Sequence, residues 1–87
     1  IMSNILQVHA QQDNAGATAA LTKDTQNIAD EIGGNALSCK VTGSDWLVFS
    51  EVGYQGTSGR VKQGVVYKTP SDMGLPPSGA ASAKLAK

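Results

Sequence analysis

The chain contains a single cysteine, Cys39, among its 87 residues. An internal disulfide is therefore excluded, and apolar packing has to hold the fold together. One cysteine is also compatible with a reducing compartment such as the cytoplasm. Large side chains for that packing are scarce, because aromatic residues make up only 5% of the sequence.

The chain also lacks net charge, long apolar runs and clusters of basic residues. Seven basic and seven acidic residues give a formal net charge of zero. Since binding to nucleic acid or to an anionic membrane surface depends on positive charge, we expect neither partner. No apolar run reaches the roughly 18 residues of a membrane-spanning helix, so we expect no span. The start of the chain, Ile1 to Asn4, does not have the pattern of a signal peptide.

A repeated pattern is the strongest positive feature of the sequence. The segment from Trp46 to Gly56 alternates apolar and polar residues, then places Phe49, Tyr54 and Gly56 in an aromatic-x4-aromatic-x-Gly pattern. A fainter copy lies 40 residues upstream, with His9 at the position of Phe49. In that copy Asn14 and Gly16 stand at the positions of Tyr54 and Gly56. Two such units predict an internal duplication of a strand that enters a folded hairpin.

Short alternating segments separated by turn residues predict an all-β fold. The predicted strands are 5–9, 17–22, 36–41, 45–49, 57–62, 65–68 and 80–85. Thr25, Ile28 and Ile32 recur at helical spacing, which predicts one or two helical turns within 23–32. Asp24 is a candidate N-cap for these turns, and Gly33 is expected to end them.

The hairpin pattern resembles the Greek-key signature of the βγ-crystallin family, and the similarity extends over almost the whole chain. The resemblance implies a single domain, 1–87, with one Greek key at about 3–42 and a second at about 43–86. It implies a sandwich of two four-stranded antiparallel sheets, with a short helical turn near 25–31. The first copy departs from the pattern at His9 and Asn14, so we expect its hairpin to be the looser one.

Many members of that family bind calcium through one (Asn/Asp)-(Asn/Asp)-x-x-(Ser/Thr)-Ser stretch in each half. The corresponding segments here are 34–39 and 78–83, which read GNALSC and SGAASA. Carried over by position, Asn35 and Ser82 would form one site, while Ser38 would be paired with Gly79 in the other. Gly34 occupies the first position of the first stretch, and neither Gly34 nor Gly79 has a side-chain oxygen.

A calcium site without a carboxylate is expected to be weak, with a dissociation constant of about 10⁻⁴–10⁻³ M or higher. The favoured alternative is that these hydroxyls and the amide bond the backbone of their own loops.

Catalysis is not expected. His9, Asp13 and Cys39 are residue types of a nucleophilic site, but Cys39 lies within a predicted strand and is interpreted as a small buried hydrophobe. The glycines of the second hairpin lack the Lys-Ser/Thr ending of a phosphate-binding loop. We place Trp46 in the core or in a subunit contact rather than in a ligand site.

The sequence therefore predicts a non-enzymatic structural or binding module of βγ-crystallin type, with weak or lost calcium binding. The alternative is a protein-interaction domain, such as an inhibitor or a toxin-like component. Either role allows a homodimer or a protein partner, and the apolar residues Met73 and Leu75 are the predicted interface.

Overall fold

A computed structural model describes residues 4–86 of the chain. In chain order its elements are β1 (Ile5–Gln11), β2 (Ala15–Leu21), α1 (Ala29–Ile32), β3 (Ser38–Thr42), β4 (Trp46–Glu51), β5 (Gln55–Val61), β6 (Val66–Tyr67), a 3-10 helix (Ser71–Met73) and β7 (Ser82–Leu85). Ser3, at the predicted start of the first Greek key, lies outside the described residues, as do Ile1 and Met2, on which the signal-peptide expectation partly depends.

The strands form two antiparallel sheets, and each sheet is built around one hairpin. The first sheet has the order β2-β1-β3-β6, and the second has the order β5-β4-β7. Strand β6 belongs to the second half of the chain but pairs with β3 of the first half. The predicted all-β sandwich is confirmed, although the described part of the second sheet has three strands instead of four.

In place of the expected fourth strand, the second sheet has a single bridge. Thr25 pairs with Ala83 of β7, and each of these two residues donates its N–H to the carbonyl of the other. The next position is closed by a side chain, since the N–H of Leu85 donates to Oδ1 of Asp24 at 2.9 Å. The carboxylate of Asp24 thus takes the place of a ladder bond, and this segment does not extend into a strand.

The helical turn predicted within 23–32 is confirmed, although it begins at Ala29 and not near Thr25. Helix α1 spans only Ala29–Ile32, because Thr25 is held in the bridge to β7. Asp24 is not its cap, and the N–H of Ala29 is bonded instead by Oδ1 of Asn27 at 3.1 Å. Gly33 does end the helix, in a left-handed conformation at φ 78°.

The two hairpins have the same register at an offset of 40 residues. Leu6 pairs with Leu21 in the first hairpin, and Trp46 pairs with Val61 in the second. Both ladders are irregular at the same point, after His9 and after Phe49. This match agrees with the repeat in the sequence, while duplication as its origin stays an interpretation.

Each hairpin turns through left-handed residues. Asn14 and Tyr54 occupy equivalent positions, with φ values of 57° and 64°, and Gly16 and Gly56 follow at 81° and 79°. A tyrosine in this conformation is uncommon and needs contacts that hold it there. Asn14 adopts the conformation more readily, because its short polar side chain tolerates it.

One hydrophobic core fills the space between the sheets. It contains Leu6, Val8, Leu21, Ile28, Ile32, Ala36, Cys39, Val41, Trp46, Val48, Val61, Met73, Leu75, Ala80 and Ala83. Trp46 is fully buried, in agreement with its predicted place in the core. Met73 and Leu75 are also buried, at 2% and 6% exposure, so the prediction of an exposed interface at these two residues is wrong. Among the described residues, no helix is long and apolar enough to cross a membrane.

Candidate functional site

The hydroxyl of Ser38, one of the candidate calcium ligands, is bonded inside the first hairpin. Ser38 is fully buried. Its Oγ donates to the carbonyl of Gln11 at 2.6 Å and accepts the N–H of Asn14 at 2.9 Å. Because these two bonds join both sides of the hairpin to β3, the hydroxyl fixes the fold of the turn.

Ser82 does the same in the second hairpin. It is also fully buried, and its Oγ donates to the carbonyl of Glu51 at 2.6 Å. The same oxygen accepts the N–H of Tyr54 at 3.0 Å. Each serine therefore holds a hairpin 24 to 31 residues earlier in the chain, and these bonds use the hydroxyl proton and one of the two lone pairs of each oxygen.

The two loops that carry the remaining candidates lie against each other. Ala36 and Ala80 form an isolated bridge, with each N–H donating to the other carbonyl at 2.8 Å. Asn35, which is half-buried, donates its Nδ2 to the carbonyl of Ser78 at 3.0 Å. Gly79 is required by this contact, because a β-carbon there would overlap the carbonyl oxygen of Ala36. Its φ of 83° also disfavours any other residue.

The residues in these loops do not fit a calcium cage. Calcium takes about six to eight oxygen ligands and is bound more tightly as the number of carboxylates rises. Here the side chains offer one free amide oxygen, that of Asn35, while Gly34 and Gly79 contribute backbone only. Within residues 4–86 no group of three or more His, Cys, Asp or Glu side chains is arranged to hold a metal ion.

The second hairpin is covered by an aromatic pair and a lysine. The rings of Phe49 and Tyr54 meet edge to face, with centroids 5.8 Å apart. Nζ of Lys84 lies 5.7 Å from the centroid of Phe49 and 5.4 Å from that of Tyr54. Burial is the main cause that raises the pKa of Tyr54, and the charge of Asp24 adds to it. A cation over two ring faces stabilises this hairpin.

The first hairpin has polar side chains at the corresponding positions. His9 takes the place of Phe49, and burial lowers the pKa of its imidazole. Asn14 takes the place of Tyr54. Nδ1 of His9 and Nδ2 of Asn14 are buried, and neither atom has a hydrogen-bond partner in the described part of the chain. The sequence pattern identified this substitution of aromatic by polar residues, but not that their nitrogens are left unbonded.

The residues considered for a nucleophilic site do not come together. Cys39 pairs with Val8 in the ladder and belongs to the core, whereas the next pair in that ladder is His9 with Ser38. Because neighbouring positions of a strand point to opposite faces, the sheet separates the thiol from the imidazole. Burial raises the pKa of the Cys39 thiol to about 12, and its Sγ lies 3.5 Å from Sδ of Met73.

Sequence reasoning missed two features of the site. It considered Ser38 and Ser82 as metal ligands by position in a motif and favoured bonds to the backbone of their own loops, whereas each hydroxyl bonds a hairpin 24 to 31 residues earlier in the chain. It also did not find the contact of Lys84 with the rings of the second hairpin. The separation of 35 residues between Phe49 and Lys84 gave no local signal for the contact between the ammonium group and the rings.

Comparison with known proteins identifies a single family. The sequence profile described as Beta/Gamma crystallin matches residues 6–85. No curated protein sequence matches the chain at a significant level.

Solved structures of similar fold come from organisms that are distant from one another. A beta gamma crystallin from Ciona intestinalis superposes with a TM-score of 0.83 at 21% identity, over 94% of this chain and 99% of that one. A betagamma-crystallin from an archaeon has a TM-score of 0.81 at 18% identity, over 97% and 99% of the two chains. The protein IPSE alpha-1, described as an IgE-binding crystallin, has a TM-score of 0.68 at 18% identity, over 93% and 80%. At these identities the similarity concerns the fold.

Proposed function

Since the chain belongs to the beta/gamma crystallin family, we propose that it is a non-enzymatic structural or binding module in which calcium affinity is weak or lost. The observation that carries this proposal is the state of the two serine hydroxyls. Ser38 and Ser82 are fully buried, and each already makes two hydrogen bonds to a hairpin. They act as parts of the fold.

Any residual calcium site rests on Asn35 and on nearby backbone carbonyls. Oδ1 of Asn35 is a neutral oxygen, and the amide nitrogen on the same side chain is held by Ser78. A site of this composition belongs at best to the weak class, with a dissociation constant of about 10⁻³ M or higher.

Thermal unfolding in calcium tests this part of the proposal. At a dissociation constant of 10⁻³ M, 10 mM calcium would stabilise the folded state by about 1.4 kcal/mol, through RT ln(1 + [L]/Kd). We expect a shift no larger than this, and an equal concentration of magnesium serves as the control for ionic strength. Asn35→Ala should remove whatever shift is specific to calcium. A shift that saturates below about 0.1 mM calcium would contradict the proposal.

We base the proposed absence of enzymatic activity on the buried position of Cys39. Its thiol is buried, and its high pKa leaves almost no thiolate at neutral pH. We expect a disulfide reagent such as DTNB to react with Cys39 only after the protein is unfolded in urea. Fast reaction in the native state at pH 7.5 would count against this reading.

A protein-interaction domain is the second candidate function. It is favoured by two adjacent exposed valines, Val65 and Val66, at β6, the edge strand of the first sheet. The fold similarity to an IgE-binding crystallin also supports a binding role. We propose a second copy of the chain as the partner, since an exposed strand edge can pair with the same edge of another copy.

Sedimentation equilibrium tests self-association directly. A concentration-dependent mass is expected for the native chain, and Val66→Lys, which adds a charge to the edge, should return it to a monomer. As a control, Val52→Lys changes another exposed valine, which lies in the second hairpin away from β6. A native chain that stays monomeric at millimolar concentration would exclude the homodimer.

A further inference from the structure

His9 is buried on the face of the first sheet that points away from the core. Leu6 and Val8 belong to the core, and side chains alternate along a strand, so His9 lies on the opposite face. It is nevertheless only 7% exposed. Whatever covers the imidazole must therefore lie outside the sheet. We assign this cover to the folded hairpin that follows β1, because the equivalent hairpin places Tyr54 against Phe49 and because Nδ2 of Asn14 is buried.

The first hairpin is closed by backbone bonds and lacks an aromatic pair. Ser38 bonds the carbonyl of Gln11 and the N–H of Asn14. The N–H of Asp13 donates to the carbonyl of Lys68 at 2.9 Å, which joins the hairpin to the segment after β6. In the second hairpin, the corresponding serine bonds are supplemented by the contact of Phe49 with Tyr54.

The charged groups around His9 do not favour a protonated imidazole. Strand β2 carries no charged residue. On β3, Lys40 is exposed on the same face as His9, because it pairs with Gln7. The hairpin carries Asp13, which is exposed to solvent, and beyond the hairpin lies the exposed Lys68. A proton on His9 would thus add a second positive charge near Lys40 and gain no buried carboxylate.

We infer that the first hairpin is an acid-sensitive element, in which protonation of His9 opens residues 11–15 while the second hairpin stays closed. Opening breaks both bonds of Ser38 and releases the carbonyl of Lys68. The first hairpin then presents its turn to solvent, and the segment after β6 loses its contact with it. The core strands are retained, because Leu6 and Val8 remain on the other face of the sheet.

The direction of the effect follows from proton linkage. In the closed hairpin, burial holds the pKa of His9 below its ordinary value of 6.5, whereas in the open hairpin the solvated imidazole regains that value. The open form therefore takes up the proton first as the pH falls below 6.5. The closed form is fully favoured above this pH, and its advantage shrinks by up to about tenfold per pH unit until the pKa of the closed form is reached.

Amide hydrogen exchange followed by NMR provides matched reporters for this inference. The N–H of Asn14 and the N–H of Tyr54 both donate to a buried serine hydroxyl, at 2.9 and 3.0 Å. Protection factors, corrected for the intrinsic pH dependence of exchange, are compared between pH 7.5 and 5. We expect protection at Asn14 to fall by up to about tenfold per pH unit below 6.5, while that at Tyr54 stays constant.

The variant His9→Gln removes the titration and keeps a neutral polar side chain, so its Asn14 protection should not depend on pH. If that variant does not fold, the titration of the His9 imidazole in the native chain gives the same answer. A parallel fall at Asn14 and Tyr54 would mean that the whole domain is destabilised, which overturns the inference. Constant protection at Asn14, or an imidazole that titrates at 6.5 in the folded protein, would overturn it as well.

Discussion

The two folded hairpins of this domain share a backbone and a serine but differ in what covers them. Both have the same register, the same left-handed turn position and a buried hydroxyl with two bonds. Over the second hairpin lie Phe49, Tyr54 and the ammonium group of Lys84. The first has His9 and Asn14 in the places of the two rings, and each carries an unbonded nitrogen within the described chain.

This difference shows that the conformation of the hairpin and its stability depend on different residues. The aromatic residues are not needed to specify the turn, because both hairpins reach the same conformation with and without them, and both share the serine bonds and a left-handed glycine. The aromatic cover adds apolar burial and ring contacts, which stabilise one hairpin beyond what the bonds alone provide. The first hairpin is covered by polar residues, so its stability depends on the hydrogen bonds of Ser38 and, through His9, on pH.

Replacing a covering side chain of each hairpin by alanine should give the largest difference in stability between the two halves. We expect Phe49→Ala to lower the free energy of unfolding by about 3–4 kcal/mol, because a buried ring is lost. His9→Ala should lower it by less than about 1.5 kcal/mol, since the lost contacts are offset by removal of an unbonded buried nitrogen. Urea denaturation at pH 7.5, where His9 is neutral, measures both. Equal losses would show that the aromatic cover adds nothing.

Removal of the serine hydroxyls should affect both halves alike. Ser82→Ala leaves the carbonyl of Glu51 and the N–H of Tyr54 without partners, and Ser38→Ala does the same to Gln11 and Asn14. We expect each variant to lose about 2–3 kcal/mol of unfolding free energy. Ser44→Ala is the control, because the hydroxyl of Ser44 makes only one long bond of 3.4 Å to its neighbour.

A marked inequality between the two serine variants would change the comparison. If Ser38→Ala is nearly neutral while Ser82→Ala is costly, the first hairpin is held by something other than its hydroxyl. The shared geometry would then not imply a shared function of the two serines.

A smaller contrast concerns one pair of small residues. Gly59 and Ala19 pair with Val48 and Val8 at equivalent positions of the two ladders. A β-carbon at Gly59 would overlap the carbonyl oxygen of Met73, so Gly59→Ala should destabilise by about 1–3 kcal/mol. Ala19→Gly should lose only about 0.5–1 kcal/mol, through chain entropy. Thermal unfolding of the two variants tests this, and a harmless Gly59→Ala would show that the 3-10 helix shifts easily.

The fold could be predicted from the sequence because the patterns that indicate it are local and occur twice. Alternation in 5–9 and 45–49 predicts strands, and Phe49, Tyr54 and Gly56 predict the hairpin. The bounds of α1 were missed because Thr25, Ile28 and Ile32 have helical spacing, whereas the bridge from Thr25 to Ala83 is a contact across 58 residues. Long-range pairing overrides such local spacing.

The site was harder to predict than the fold, for a similar reason. A serine in a motif has the same appearance whether its hydroxyl faces an ion or a carbonyl. The partners of Ser38 and Ser82 lie 24 to 31 residues away along the chain. The burial of Met73 and Leu75 is likewise set by the packing of the 3-10 helix and the loop after it, and no pattern within that loop reveals it.

The smallest expected effect comes from an ion pair of the second half that the described part of the first half lacks. Oδ1 of Asp45 accepts the N–H of Gln63 at 2.9 Å, and its Oδ2 lies 3.0 Å from Nε of Arg60. The equivalent positions 40 residues earlier carry Lys23 for Gln63, Ala20 for Arg60 and Ile5 for Asp45, which excludes this arrangement in the first half. The bond from Gln63, followed by the bond and charge of Arg60, lowers the pKa of Asp45 below its ordinary 3.8.

Because the folded form holds this carboxylate charged, its contribution to stability is present above about pH 3.8 and is lost as the pH falls through the lower pKa of the folded form. Asp45→Asn should therefore reduce the melting temperature slightly at pH 6, and the gap between the two proteins should close towards pH 3. In 1 M salt the part due to Arg60 should be screened, while the part due to the backbone bond should persist. A gap that is the same at pH 6 and pH 3 would mean that Asp45 acts through the shape of its side chain, and the second half would then owe its extra stability to the aromatic cover alone.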